Sequence, residues 1–114
     1  MTDLILLTRR IVEEIDDYAA PSSPNLSLGS APERAWISEQ LHFMRSALVV
    51  PYRVQVTDDA GESRAVFVVA NDELGSLVVY DPSEGGDFAL AVGSVQNLVL
   101  AGPRGDAVGC FLAR

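Results

Sequence analysis

The sequence predicts an α+β fold in which two N-terminal helices pack on one face of a four- to five-stranded antiparallel meander. Two segments in the first half carry apolar residues at helical spacing, and from Val49 onward apolar residues recur at every second position. Turn-forming residues divide this second half into short segments, and such short loops favour antiparallel neighbours. A chain of 114 residues has the length of one domain, 1–114, whose core needs neither disulfide nor metal.

The two predicted helices span residues 3–18 and about 30–48. Pro21 and Pro24 lie in the intervening loop, 19–29, and end the first helix because proline disrupts helical hydrogen bonding. Ser30 and Glu33 form a capping-box pattern at the start of the second helix. The apolar stripe of the first helix consists of Leu4, Leu7, Ile11, Val12, Ile15 and Tyr18. The corresponding face of the second consists of Trp36, Ile37, Gln40, Leu41, Met44, Ala47 and Leu48.

Strands are predicted at residues 49–57, 64–70, 77–80, 87–92 and 95–100, with a turn at 102–106. In the fourth strand Phe88 and Leu90 alternate with Ala89 and Ala91, and we expect a helix to pack closely on the side of the small residues. Residues 106–114 fit either a short helix capped by Asp106 or a final edge strand. The sequence leaves these two alternatives open.

The charge balance excludes several functional classes. Sixteen acidic residues face eight basic ones, for a net charge of −8, and every basic residue is arginine. The absence of lysine excludes Schiff-base chemistry and a P-loop lysine. An acidic surface without a basic patch disfavours nucleic acid and anionic membranes. We interpret the arginine-only composition as a sign of GC-rich coding, which favours a bacterial source.

Cysteine content and the N-terminal pattern predict a cytoplasmic protein. Cys110 stands alone, so no intrachain disulfide can form, and its neighbours indicate a small buried residue. Near the N-terminus Arg9 and Arg10 follow the apolar residues, the reverse of the order in a secretory signal. The longest apolar run, residues 65–70, is far shorter than a membrane span.

No catalytic site, cofactor site or metal site is predicted. His42 is the one histidine, and its position in the second helix places it on the polar face, without a pocket or oxyanion donors. One histidine and one cysteine are too few for a tetrahedral zinc site. The acidic segment 81–87 lacks the ligand spacing of an EF-hand, and its Asp-Pro and Gly-Gly pairs are typical of turns.

Surface residues therefore supply the candidate site, which is a protein-binding one. Large aromatic and arginine side chains anchor many interfaces, and carboxylates suit a basic partner. The competing interpretation places the aromatic residues in or beside the core. The candidate partner-binding residues are Trp36, Tyr52, Arg53, Tyr80, Asp58 and Asp59.

With its helices ahead of an antiparallel meander and its strong acidity, the chain resembles bacterial toxin-immunity proteins in layout and composition. That resemblance implies a non-enzymatic inhibitor that binds a basic partner protein, and it carries over no site residue. One alternative is a self-associating structural or regulatory protein that forms a homodimer. Another is a small-molecule-binding or hydrolytic domain that uses His42 and loop carboxylates.

Overall fold

The computed structural model describes residues 4–19, 31–58, 60–83, 86–94 and 97–114. These ranges contain three helices and five strands, numbered here in chain order. The helices are α1 (Leu4–Ala19), α2 (Ala31–Ala47) and α3 (Ala107–Leu112). The strands are β1 (Leu48–Thr57), β2 (Ser63–Asn71), β3 (Ser76–Asp81), β4 (Asp87–Ser94) and β5 (Asn97–Gly105). Residues 20–29 of the predicted loop lie outside the described residues.

The five strands form a closed barrel in which each pairs antiparallel with the next along the chain. The barrel closes through a short parallel pairing of β1 with β5, where Val56 faces Leu98 and Thr57 faces Val99. The first and last strands of a five-stranded meander run in the same direction, so their pairing has to be parallel. The α+β class is confirmed. The expectation of a wholly antiparallel sheet is wrong at the pairing of β1 with β5, which is parallel and closes the barrel.

Irregular pairing curves the sheet toward closure. The register shifts between β1 and β2, between β2 and β3, and between β4 and β5. Such bulges increase local twist and bend a strand, which allows a small sheet to meet its own edge. The shift in β5 falls between Ala101 and Arg104, so the predicted turn at 102–106 is instead largely a bulged part of this strand. Proline is tolerated there because a bulge interrupts the hydrogen-bonding ladder.

Alternation along the strands separates two hydrophobic clusters. The cluster inside the barrel consists of Val56, Val66, Val68, Leu77, Val79, Ala89, Ala91 and Leu98. The second lies between the barrel's outer surface and the helices. Its strand residues are Val69, Ala70, Val78, Phe88 and Leu90, and its helical residues are Leu7, Ile11, Ile15, Leu41, Met44, Ala47, Ala107, Val108, Cys110 and Phe111.

The large residues of β4, and not its small ones, face the helices, which is the opposite of the expectation. Phe88 and Leu90 pack against the helices, whereas Ala89 and Ala91 lie inside the barrel. The interior of a five-stranded barrel is narrow, so small residues are needed on some of its strands, while the outer surface has room for a phenylalanine ring. The alanines therefore reflect the narrow barrel rather than close contact with a helix.

The helical stripes are largely as predicted. Leu7, Ile11 and Ile15 of α1 are buried, and Leu4 and Tyr18 pack at the edge of the same cluster. On α2 the buried residues are Leu41, Met44 and Ala47. Trp36, placed on the apolar face by its spacing, is 48% exposed instead.

Of the two alternatives for the C-terminal segment, the structure shows the helix, at residues 107–112. Two carboxylates cap the N-terminus of this helix. Asp106 accepts a hydrogen bond from Gly109 N at 2.7 Å. A Cβ on Gly109 would collide with that carboxylate, which explains a glycine within the helix. Glu14 of α1 accepts hydrogen bonds from Ala107 N at 3.3 Å and Val108 N at 2.5 Å. These contacts attach α3 to α1.

Glu14→Gln is expected to gain stability relative to the wild type as the pH rises from about 4 to about 7. Burial raises the pKa of Glu14 above its usual 4.5, against the opposing effect of the hydrogen bond from Val108. The folded protein therefore holds this proton more tightly than the unfolded chain, and ionising Glu14 costs stability as pH rises through the raised pKa.

Urea unfolding at a series of pH values measures this difference. Glu13→Gln is the matched control, because it removes the same charge from an exposed position on the same helix. Subtracting the control removes the contribution of net charge. A difference between the two variants that stays flat or falls with rising pH would contradict the assignment.

Candidate functional site

The structure separates the predicted partner-binding residues along β1. Tyr52 is 41% exposed and pairs with Val68, so it lies on the face that continues into the barrel. The next residue, Arg53, pairs with Phe67 and lies on the outer face, where it is exposed. Adjacent residues of a strand point to opposite sides. Tyr52 and Arg53 therefore belong to different faces of β1, and Trp36 belongs to another element, α2.

Tyr80 takes part in packing. It lies in register with Phe67 on one side and with Phe88 on the other, and its ring centroid is 5.2 Å from that of Phe88. It is half-buried at the edge of the cluster beneath the helices. The Arg10 guanidinium covers the Phe88 ring from α1, at 5.3 Å from its centroid. Tyr80 thus contributes to the junction of barrel and helices.

Of the two predicted partner-binding aspartates in the β1–β2 loop, the structure describes only Asp58. The Asp58 carboxylate accepts hydrogen bonds from Ala60 N and Glu62 N, both at 3.0 Å, and closes the hairpin. It also pairs with Arg64 at 3.1 Å. The backbone hydrogen bond from Glu62 is the largest of the effects that lower the pKa of Asp58. Asp59 lies outside the described residues.

A charge cluster around one buried aspartate, at one end of the barrel, was missed by the sequence analysis. Asp81, at 1% exposure, ends β3. Its carboxylate accepts hydrogen bonds from Arg64 at 2.6 Å and Arg104 at 2.9 Å, and from the Ser83 hydroxyl at 2.6 Å and Ser83 N at 3.0 Å. The alternation of side chains could have predicted that Asp81 is buried, because it lies on the same face of β3 as Leu77 and Val79 of the barrel interior.

The environment of Asp81 suits a structural role. Burial opposes its ionisation, but the hydrogen bonds from Ser83, Arg104 and Arg64 outweigh burial and hold its pKa well below the usual range. The hydrogen bond to Asp81 in turn raises the pKa of Arg64. A carboxylate that stays ionised is a poor proton donor near neutral pH. The cluster therefore joins β2, β3 and β5 across the barrel end and offers no acid–base pair.

A second buried aspartate lies at the opposite end of β3. Asp72 accepts hydrogen bonds from Leu74 N at 2.8 Å and Ser76 N at 3.0 Å, which shape the β2–β3 loop. It also accepts one from Arg114 Nε at 3.1 Å. The Arg114 guanidinium stacks on the Phe111 ring, 4.0 Å from its centroid, and bonds to Gln40 of α2. These contacts join the C-terminal segment to the barrel and to α2.

The charges of α1 are distributed against its dipole. Arg9 and Arg10 lie in its N-terminal half, whereas Glu13, Asp16 and Asp17 are exposed in its C-terminal half, and its last turn holds no basic residue. A helix is stabilised by acidic residues near its N-terminus and basic residues near its C-terminus. Asp16 and Asp17, in the last turn, are therefore placed unfavourably, although Asp16 gains an ion pair with Arg45 of α2. We call Glu13, Asp16 and Asp17 the acidic surface of α1.

An apolar groove lies between the N-terminal half of α1 and the start of β1. Its volume is about 560 Å³, and Val50 at its edge is 87% exposed. The Thr8 hydroxyl in its wall donates to Leu4 O at 3.1 Å, which leaves the lining largely apolar. The lining residues are Leu4, Ile5, Thr8, Arg9, Leu48, Val49, Val50 and Pro51.

His42 lies on the exposed side of α2, while Asp58 and Asp81 are engaged by Arg64 at the barrel end. Within the described ranges, no group of three or more histidine, cysteine or acidic side chains is arranged to hold a metal ion. In the same part of the chain, no helix is both long and apolar enough to cross a membrane.

His42→Ala is expected to change the free energy of unfolding by less than about 0.5 kcal/mol, because surface substitutions away from special contacts have small effects. Its side chain is exposed, and the contact at this residue is the backbone carbonyl that accepts from the Ser46 hydroxyl at 3.4 Å. Chemical denaturation of the variant measures the change. A loss of several kcal/mol would show that the imidazole has a role in the fold that its position does not reveal.

In comparisons with known proteins, no protein-family profile, no curated protein and no solved structure matches this chain.

Proposed function

We propose that this protein is a non-enzymatic binding protein that holds a basic partner protein through the acidic surface of α1. The observation that carries the proposal is the placement of Asp16 and Asp17 in the last turn of the helix, where the dipole disfavours acidic residues, with Glu13 exposed one turn before them. Residues kept where they cost stability are typical of functional positions. The net charge of −8 adds a long-range attraction for a cationic surface.

Electrostatic complementarity of this kind chiefly accelerates encounter and selects partners by charge. An inhibitor that covers a basic nucleic-acid-binding surface would gain from both effects, so an immunity or inhibitor role in a bacterial cytoplasm is part of the proposal. Asp81 and its arginine partners support the proposal indirectly, because this cluster joins three strands and its described residues form no acid–base pair suited to catalysis.

Affinity capture from the host's lysate, at low and then moderate salt, tests the proposal with two charge variants. The double variant Glu13→Gln with Asp17→Asn removes two charges from the acidic surface and spares the Asp16–Arg45 ion pair. The control, Glu62→Gln with Glu73→Gln, removes the same charge from exposed loop positions of the barrel.

We expect a basic protein that is retained by the wild type and the control, released as salt rises, and lost by the α1 variant. Equal retention by all three proteins would contradict a role for α1. If the α1 variant and the control lose the partner equally, the binding depends on the net charge of the protein and not on the acidic surface of α1. A species of twice the monomer mass that survives moderate salt would favour the self-association alternative.

A further inference from the structure

The groove beside β1 combines an apolar lining with a basic rim. Arg9 lines the groove, and Arg53 lies two residues beyond Pro51 on the same strand. Among the residues that the structure describes, neither arginine forms an ion pair with a carboxylate. By contrast Arg45, Arg64, Arg104 and Arg114 all do. The chain as a whole has a net charge of −8, but these two arginines make the surface charge beside the apolar groove locally positive.

The backbone at the groove is unsuited to the addition of a strand. β5 covers β1 at Val56 and Thr57, so within the described ranges the earlier part of β1 has no strand on that side. Pro51 and the register shift between Leu48 and Tyr52 interrupt this edge. Proline and bulges on an edge strand prevent backbone pairing with another chain. An occupant of the groove therefore has to bind through side chains.

We propose that this groove binds an amphipathic helix of a partner protein whose apolar face is flanked by acidic residues. A helix satisfies its own backbone hydrogen bonds and offers apolar side chains at i, i+3, i+4 and i+7 to a hydrophobic groove. Its carboxylates face Arg9 and Arg53, which form no ion pair with the acidic residues that the structure describes. The site lies at the opposite end of α1 from the acidic surface and stands independently of the function proposed above.

A second copy of the chain fits the site less well. Each copy carries a net charge of −8, so association brings two strongly acidic molecules together. The interrupted edge of β1 also removes the usual route to a two-fold sheet, in which the edge strands of two copies pair.

Selection from a displayed library of random 16-residue peptides on the full chain tests the proposal. Parallel selections use Val50→Asp, which places a charge at the groove, and Leu74→Asp, an equally polar change at a similarly exposed position (79%) in the β2–β3 loop. The selected peptides are then synthesised, and their affinities are measured by fluorescence anisotropy against each protein and against Arg9→Glu.

We expect the wild type and Leu74→Asp to enrich peptides with apolar residues at helical spacing and flanking Asp or Glu. Val50→Asp should weaken their binding about tenfold through the lost apolar contact. Arg9→Glu should weaken it about fivefold and favour the same peptide with Lys in place of its acidic residues.

Three results would overturn the proposal: no enrichment over the Val50→Asp selection, enriched peptides without acidic residues, or affinities that Arg9→Glu leaves unchanged. Sedimentation of the wild type provides a further test. A dimer that Val50→Asp dissociates and Leu74→Asp does not would assign the groove to a second copy of this chain.

Discussion

Asp81→Ala is expected to lower the free energy of unfolding by about 3 kcal/mol, the low end of the cost of breaking a buried ion pair. The carboxylate is almost fully buried and accepts hydrogen bonds from Arg64, Arg104 and Ser83. Without it, three strands lose their common polar contact, and the two arginines keep only their other acidic partners, Asp58 for Arg64 and Asp87 for Arg104. Both arginine side chains are partly exposed and can turn toward water, which keeps the loss below the upper end of that range.

Asp87→Ala is the matched control. Asp87 also faces Arg104, at 3.7 Å, but its side chain is about half exposed, so we expect a loss below about 1 kcal/mol. Urea unfolding of both variants measures the difference. Similar losses of unfolding free energy in the two variants would show that the burial of Asp81 does not increase its contribution to stability.

The contribution of Asp81 should also depend on pH with a definite sign. Its pKa lies below the usual 3.8, so the unfolded chain takes up this proton first on acidification. The stabilisation is therefore present above about pH 4 and is lost as the pH falls. The difference in unfolding free energy between wild type and Asp81→Ala should shrink below that pH. A difference that grows on acidification would contradict the ionised state assigned to Asp81.

Gly93→Ala is expected to cost about 3 kcal/mol, from two sources that a control can separate. Gly93 has a φ of +114°, a conformation that residues with a Cβ rarely adopt. A Cβ there would also collide with the backbone carbonyl oxygen of Asn97, at the connection between β4 and β5. A backbone oxygen held by strand pairing cannot move aside as a side chain would, so the strands have to shift.

Gly75→Ala isolates the conformational part of this cost. Gly75 has a similar φ of +104°, and a Cβ there would have no atom within 4 Å. We expect a loss of about 1 kcal/mol, so the excess in Gly93→Ala measures the collision with Asn97. Thermal or urea unfolding of both variants provides the comparison. Equal losses would show that the β4–β5 connection adjusts freely.

Most of the elements could be predicted because their signals are local. The stripe of Leu7, Ile11 and Ile15 and the alternation of Val54 and Val56 each lie within one short window of sequence. The fifth strand was placed less well, at 95–100 instead of Asn97–Gly105, because Gly102 and Pro103 read as a turn. A bulge accommodates both residues, and its presence depends on the partner strand β4.

The candidate site was predicted only in its residue types. Trp36, Tyr52 and Arg53 are exposed, but strand alternation places Tyr52 and Arg53 on opposite faces of β1, and Trp36 lies on α2. Tyr80 packs at the junction of barrel and helices, and Asp58 closes a hairpin. The apolar groove went unrecognised because it joins residues of α1 to residues of β1 that are about forty positions apart in sequence.

Composition and periodicity alone predicted the α+β class, most of the buried stripes of α1 and α2, a meander of four to five strands and a strongly acidic, lysine-free chain. These properties follow from composition and from periodicities of 3.6 and 2 residues. The tertiary structure decided that the meander closes, that Phe88 faces the helices, and that Asp81 is buried among arginines. Each of these depends on contacts between segments far apart in the chain, where bulges and strand twist set which faces meet.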